Sequence, residues 1–379
     1  MTVKAAAPAA KIPWIETPLI KSASLSNAAG CNIFLKLENL QPSGSFKSRG
    51  IGSYLVSKLV TVQALPNSAA PRGDPKRAHF YCSSGGNAGL ACVHGAVTLG
   101  CEATIVVPLS TTAYMIGKLR QAGAMDVIQH GASWQEADNY LTSTVMADAR
   151  ARGEEAIYVP PFDAQEIWDG NAGITHEIVR QLPHAANHYP INQPVASSAT
   201  SNSYNGSVPH GDVDAIVCSV GGGGLFSGIM QGVDDLHMNH TRVIAVETEG
   251  ADALSQAVAK NERIILPAIT SLATSLGARQ VCKRAFEYGL RDTVTNVVLS
   301  DSEAIRACKR FLDEERLLVE LACGVCPAIC YSGQLPRLVP GFNENSVVVL
   351  VICGGSNMTF DIMDKYVADE AAKETSQRL

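Results

Sequence analysis

Charge is scarce in this sequence: Asp, Glu, Lys and Arg make up 17% of the 379 residues, aromatics only 6%, and the net charge is −6. The basic residues are scattered, which argues against nucleic acid or an anionic membrane as partner. No apolar run approaches the roughly eighteen residues needed to span a bilayer, and the N-terminus lacks the apolar core of a secretory signal. The nine histidines form no evident triad, and no internal repeat is present. These absences leave a soluble intracellular protein that works on a small molecule. The opening MTVKAAAPAAKI is apolar and acid-free, as a mitochondrial address would be, but it is short and has no arginine, so the cytoplasm is favoured.

Hydrophobic residues are plentiful, at 46%, with 32 glycines, the profile of a globular enzyme. Eleven cysteines, an odd number, lie mostly in apolar segments such as Ile216-Val217-Cys218 and read as reduced thiols in the core. At about one to two hundred residues per domain, the length suits two domains with a cleft between them.

Apolar β-like runs alternate with helical stretches, which predicts an α/β chain with mainly parallel strands. Strands are expected at Asn32 to Leu37, His79 to Cys82, Ala103 to Val107, Asp214 to Val220, Arg242 to Glu247 and Ser346 to Cys353; several are apolar throughout, as strands covered on both faces should be. Between about His184 and Gly211 the periodic pattern gives way to His, Asn, Pro, Ser and Tyr, which reads as a flexible surface insertion. Leu65 to Arg77, rich in Pro, Ala and charge, is a second expected loop. No regulatory domain is expected after Cys353.

Four segments carry candidate chemistry. The first, Glu38-Asn39-Leu40-Gln41-Pro42-Ser43-Gly44-Ser45-Phe46-Lys47, follows a strand and ends at a helix start, presenting one lysine. A lysine that forms Schiff bases must shed its proton, which partial burial beside apolar groups such as Phe46 favours. Taken alone, Lys47 reads more readily as a solvated helix residue. The second, Ser83-Ser84-Gly85-Gly86-Asn87-Ala88-Gly89, is a strand-to-helix turn whose amides, helix terminus and polar side chains would suit a carboxylate. An ordinary turn with an N-cap serine is the alternative.

The third is Gly221-Gly222-Gly223-Gly224-Leu225, where successive N–H groups would cradle a phosphate. Phe226 breaks the G-x-G-x-x-G pattern and no P-loop lysine follows, which demotes dinucleotide and ATP binding. The fourth, Cys353-Gly354-Gly355-Ser356-Asn357, follows a strongly apolar strand. Ligands of open α/β sheets gather at the carboxyl ends of strands, so four such loops point to one shared crevice. Cys323, Cys326 and Cys330 lack a fourth ligand at finger or ribbon spacing and read as core packing rather than zinc ligands.

In this order the four loops resemble the fold-type II pyridoxal-phosphate enzymes, most closely the serine/threonine dehydratases of the eukaryotic L-serine dehydratase type. Pro18-Leu19, Pro160-Pro161-Phe162-Asp163, Ile167-Trp168, Glu247-Thr248, Gly250-Ala251 and the segment Asp313 to Gly324 extend the likeness over nearly the whole chain. Two twisted, mainly parallel sheets flanked by helices, as in the tryptophan synthase β-subunit, are implied, with the active site between domains. The large cofactor-binding domain would comprise 1–39 and 156–379, and the small domain 40–155.

The resemblance implies a residue set as well. Lys47 would hold pyridoxal 5′-phosphate as a Schiff base, with Phe46 packed on the ring and Asn87 bonded to its 3′ oxygen. Gly221, Gly222, Gly223, Gly224 and Leu225 would bind the phosphate, and Cys353 would face the pyridine nitrogen. Ser84, Gly85, Gly86 and Asn87 would hold the substrate carboxylate. Gly221, Glu247, Ala251 and Leu276 match a monovalent cation site, such as one for K+, and homodimers are common in the family. The implied reaction removes water from L-serine or L-threonine, giving pyruvate or 2-oxobutyrate and ammonia. β-Replacement, as in cysteine synthase or threonine synthase, is the rival on the same loops; a non-catalytic cofactor or amino-acid binding module is a third reading. Gly85, where serine racemases carry serine, argues against racemisation. Leu321 in place of the family's proline, and Pro327 within an expected helix, depart from the pattern.

Overall fold

The structure, a computed structural model, describes residues 11–64, 78–188 and 213–377. In chain order the strands are β1 (Leu19–Lys21), β2 (Asn32–Lys36), β3 (Ala78–Cys82), β4 (Glu102–Val107), β5 (Asp126–Gln129), β6 (Glu155–Tyr158), β7 (Ala215–Ser219), β8 (Arg242–Thr248), β9 (Val294–Leu299) and β10 (Val347–Val351). They form two sheets, as the alternating pattern predicts. Six strands run in the order β1-β2-β10-β7-β8-β9, parallel except for the antiparallel edge strand β1. The other four, β5-β4-β3-β6, are all parallel. The strands β2, β7 and β10 are buried along their whole length, and β10, Val347–Val351, is Val and Leu throughout, without alternation, as a strand covered on both faces should be.

The chain divides into two compact units: Glu16–Phe46 with Phe162–Leu379 hold the larger sheet, and Lys47–Pro161 with the residues up to Ile15 hold the smaller. The crossings therefore fall at 46/47 and 161/162 rather than at the expected 39/40 and 155/156. Hydrogen bonds explain the first: Asn39 N–H donates to Ile352, Phe46 N–H to Cys353, and Gly355 N–H to Gly44, so this segment remains bonded to the end of β10. At the N-terminus, Pro13 and Trp14 pack on Gly52 of the smaller unit, where an added Cβ would stand 2.8 Å from the indole.

The helix Gln165–His188 corrects the expected insertion. It continues through Pro183 and His184 to His188, where the sequence reads as loop. Proline removes one backbone bond and bends a helix, but Ala185 and Ala186 beyond it are buried in the core and hold the last turn in place. The rest of the insertion, 189–211, and the whole loop 65–77 lie outside the described residues. Helix Leu321–Tyr331 accommodates Pro327 as well, and its residues Leu321 to Cys330 are all buried.

Candidate active site

Three of the four expected loops follow neighbouring strands. The segment ending at Phe46 follows β2, Cys353–Asn357 follow β10, and Gly221–Gly224 follow β7, adjacent at the carboxyl edge of the six-stranded sheet. Order reverses there, since β10 lies between β2 and β7; such switch points are where open α/β sheets bind ligands. The fourth loop, Ser83–Gly89, follows β3 in the smaller unit and opens the helix Asn87–Leu99.

Lys47 is the first residue of the helix Lys47–Ala64, half-buried, with Nζ donating to the Pro161 carbonyl at 2.5 Å. The preceding residue is tied to the strand edge, because Phe46 N–H donates to Cys353 O at 3.0 Å. Cys353 is 5% exposed, and its Sγ lies 3.6 Å from Ser219 Oγ at the end of β7. Burial and this neighbouring thiol push Cys323 well above the usual thiol range, so it remains protonated.

The glycine loop is held from behind by packing. A Cβ on Gly222 would stand 2.4 Å from atoms of the Phe162 ring, and one on Gly224 2.7 Å from the Phe162 carbonyl. Gly223 has φ +94°, a left-handed conformation that favours glycine, and its Cβ would meet Ala285 at 2.3 Å. The Trp168 indole N–H fixes the Phe162 carbonyl at 3.1 Å. Gly223 also begins the helix Gly224–Asp235, and no side chain caps it. The first-turn amides of Gly224 and Leu225 have no intrahelical acceptor.

In the smaller unit Ser84, Gly85, Gly86 and Asn87 are all half-buried. Ser84 Oγ accepts from Gly86 N–H at 3.3 Å, and the N-cap residue of the helix that Asn87 opens is Gly86, which has no side chain to cap it. Gly85 abuts Thr111, whose Cγ2 and Oγ1 would lie 2.9 and 3.0 Å from an added Cβ.

Glu247 ends β8 fully buried. Its Oε1 accepts from Leu254 N–H at 2.8 Å; its Oε2 accepts from Ser255 N–H at 2.7 Å and Ser255 Oγ at 2.6 Å, so it caps the helix Ala253–Lys260. Burial pushes this carboxyl up to about 7 despite those donors. Gly221 faces the carbonyls of Ser275 and Leu276, which would stand 3.2 and 3.3 Å from an added Cβ, and Ala251 N–H bonds Thr248 O. Cys323, Cys326 and Cys330 are all buried along the helix Leu321–Tyr331, and no group of three or more His, Cys, Asp or Glu among the described residues could hold a metal ion.

The profile of pyridoxal-phosphate dependent enzymes matches residues 12–354. The chain belongs to that family. Its curated relatives include an L-serine dehydratase of Saccharomyces cerevisiae (strain RM11-1a), 38% identical over 92% of this chain and 96% of the relative. A catabolic L-serine/threonine dehydratase of Saccharomyces cerevisiae is 33% identical over 96% and 93%. Among solved structures, a fungal L-serine ammonia-lyase from Rhizomucor miehei superposes with a TM-score of 0.78 at 30% identity, covering 94% of this chain and 98% of that one.

The family cofactor fits the residues present. The uncapped amides of Gly224 and Leu225, backed by Phe162 and Ala285, offer a phosphate the donors and positive potential it needs. Ser45 Oγ, buried two residues before Lys47 without a hydrogen-bond partner, marks an unsatisfied polar group beside the β10 loop, to which Ser45 is bridged at Gly354. Sequence reasoning did not single out Phe162, Ser219, Thr111 or Ser45. Phe162 could have been found from the Pro160-Pro161-Phe162-Asp163 run, whereas the others carry no local signal.

Proposed function

We propose that this chain is an L-serine ammonia-lyase that also accepts L-threonine, with pyridoxal phosphate held by Lys47. The observation that carries the reading is the placement of Lys47 at a helix start, directly after Phe46, whose backbone is bonded to Cys353. The family's dehydratase relatives span nearly the whole chain and support the same reaction.

In this reading Gly221 to Gly224 and Leu225 would hold the cofactor phosphate, Phe46 and Asn87 would hold its ring and ring oxygen, and Cys353 would serve its ring nitrogen. The bound cofactor supplies an electron sink for the pair left when the α-proton departs. Ser84, Gly85, Gly86 and Asn87 orient the substrate carboxylate at the start of the helix Asn87–Leu99, where helix potential favours an anion. Lys47 Nζ would accept the α-proton, and the departing β-hydroxyl would take up one proton in turn, so that H and OH are lost together as water. The enamine that is released tautomerises and hydrolyses, giving pyruvate or 2-oxobutyrate and ammonia with no net redox change.

The larger unit is proposed as the cofactor-binding domain and the smaller as the substrate-carboxylate domain. The carbonyls of Gly221, Ala251 and Leu276 with the Glu247 carboxylate are proposed to hold K+. A homodimer in the cytoplasm is also proposed; eleven buried thiols without disulfides support a reducing compartment.

The protein purified with pyridoxal phosphate should show the visible band of the bound cofactor and release keto acid and ammonia from L-serine and L-threonine. Lys47→Ala should remove both the band and the product. A band without keto acid would favour β-replacement or a binding module, and no band would overturn the reading.

A further inference from the structure

Glu320 is a buried carboxylate, 4% exposed, that the reaction above does not use. It occupies the N-cap position of the helix Leu321–Tyr331, yet its side chain does not cap that helix. The two oxygens reach instead to two separate loops. Oε1 accepts the Asn357 N–H at 2.7 Å, and Oε2 accepts a short bond from Ser275 Oγ. Asn357 Nδ2 lies 3.4 Å from the same Ser275 hydroxyl and closes the arrangement. The chain leaves room for the carboxylate: Gly355 has φ +132°, and a Cβ there would stand 2.2 Å from Glu320 Cδ.

The two loops so joined both touch the proposed cofactor site. Asn357 ends the β10 loop that begins at Cys353. Ser275 lies in the turn Thr274–Leu276, whose carbonyls face Gly221. A buried carboxylate is costly unless its lone pairs are filled, and here backbone and hydroxyl donors from these two loops fill them.

We propose that Glu320 is a positioning residue that clips the Cys353–Asn357 loop to the Thr274–Leu276 turn and thereby sets the ring-nitrogen partner and the phosphate loop in register for the cofactor. The inference rests on the assignment of pyridoxal phosphate to this site. A clip acts through hydrogen-bond geometry, so glutamine, with one acceptor and one donor in the same shape, restores most of what alanine removes.

The test uses the full chain stripped of cofactor. Hydrogen exchange at 353–357 and 273–277 reads the clip itself, and titration with pyridoxal phosphate reads its purpose. Glu320→Ala should speed exchange in both segments and weaken cofactor binding by roughly tenfold or more, the scale of losing two buried hydrogen bonds; Glu320→Gln should return binding to within about threefold of the parent. Ser275→Ala, which removes one arm only, should show the same pattern more weakly and serves if Glu320→Ala does not fold. Unchanged exchange and affinity in the alanine variants would overturn the clip, as would a glutamine variant as weak as alanine. A parent that exchanges as expected but takes up no pyridoxal phosphate would overturn the assignment of the site and, with it, the clip's purpose.

Discussion

Two glycine-rich loops in this chain have the same sequence grammar and different physics. Gly221–Gly224 after β7 and Ser83–Gly89 after β3 both turn from a buried strand into a helix whose N-cap residue is a glycine. In the first, Gly223 and Gly224 are buried, and the space where side chains would project is filled by the Phe162 ring and carbonyl and by Ala285. In the second, Ser84 to Asn87 are all half-buried; a side chain on Gly85 would meet Thr111 and a Val107 methyl at 3.2 Å, and one on Gly89 would stand 1.9 Å from the Ser84 carbonyl. A loop locked from behind suits a group that stays through every turnover. One whose residues Ser84 to Asn87 are half-buried leaves a face for a substrate that enters and leaves.

The comparison breaks most readily at Gly222. Gly222→Ala would force its methyl into the Phe162 ring, and overpacking of this kind costs about 1–3 kcal/mol. Affinity for pyridoxal phosphate, measured by titrating the cofactor-free protein, should fall by roughly ten- to hundredfold. Parent-like affinity would mean that Phe162 yields and that the loop is not locked. Gly85→Ser should cost less: kcat/KM for L-serine should drop about tenfold, chiefly through KM, with cofactor affinity nearly unchanged. Adding Thr111→Ala should recover part of the loss, because it clears the atoms that a Cβ at 85 would meet. Strict additivity of the two changes would show that they do not interact, against the packing described.

The same contrast explains what the sequence could reveal. A run of glycines after an apolar strand is readable because backbone cost and strand end are local signals, and β2, β7, β8 and β10 lie within one or two residues of their expected positions. The strands β1, β5, β6 and β9 escaped because each has exposed or half-buried positions that interrupt the apolar run. The expected insertion starts too early, at His184, because Pro183 and polar residues outweigh Ala185 and Ala186, whose burial is decided by distant partners. Lys47 was picked out through family likeness more than local pattern. Phe162 behind Gly222, and Glu320 between Ser275 and Asn357, depend on contacts between segments far apart in the chain, which no local signal encodes.

The smallest effect contrasts the two units through their buried ionisable groups. In the smaller unit His79 on β3 is 6% exposed; its Nδ1 lies 3.0 Å from Glu154 Oε2 and 3.6 Å from Glu102 Oε2, and its Nε2 lies 2.9 Å from Thr104 Oγ1. Tyr81 stacks on it, and Arg152 beside Glu154 opposes its protonation. Burial outweighs both carboxylates and pushes His79 below the usual histidine range. The unfolded chain therefore takes up this proton first, so the smaller unit should lose stability as pH falls through about 6.5. In the larger unit, in buffer free of K+, Glu247 keeps its proton up to about 7, while the unfolded chain releases it near the ordinary carboxylate value. That contribution is present at low pH and lost as pH rises through 7, the opposite sign. Each group can tilt stability by no more than about 1.4 kcal/mol per pH unit, so between pH 6 and 7 the two largely cancel in a whole-chain melt. Hydrogen exchange corrected for intrinsic rates separates them. On acidification from pH 7 to 6, protection should fall in β3 and β6 and rise in β8 and the helix Ala253–Lys260. His79→Asn should flatten the first response and Glu247→Gln the second. Protection moving in the same direction in both units would show that burial does not set the protonation state of one of the two groups.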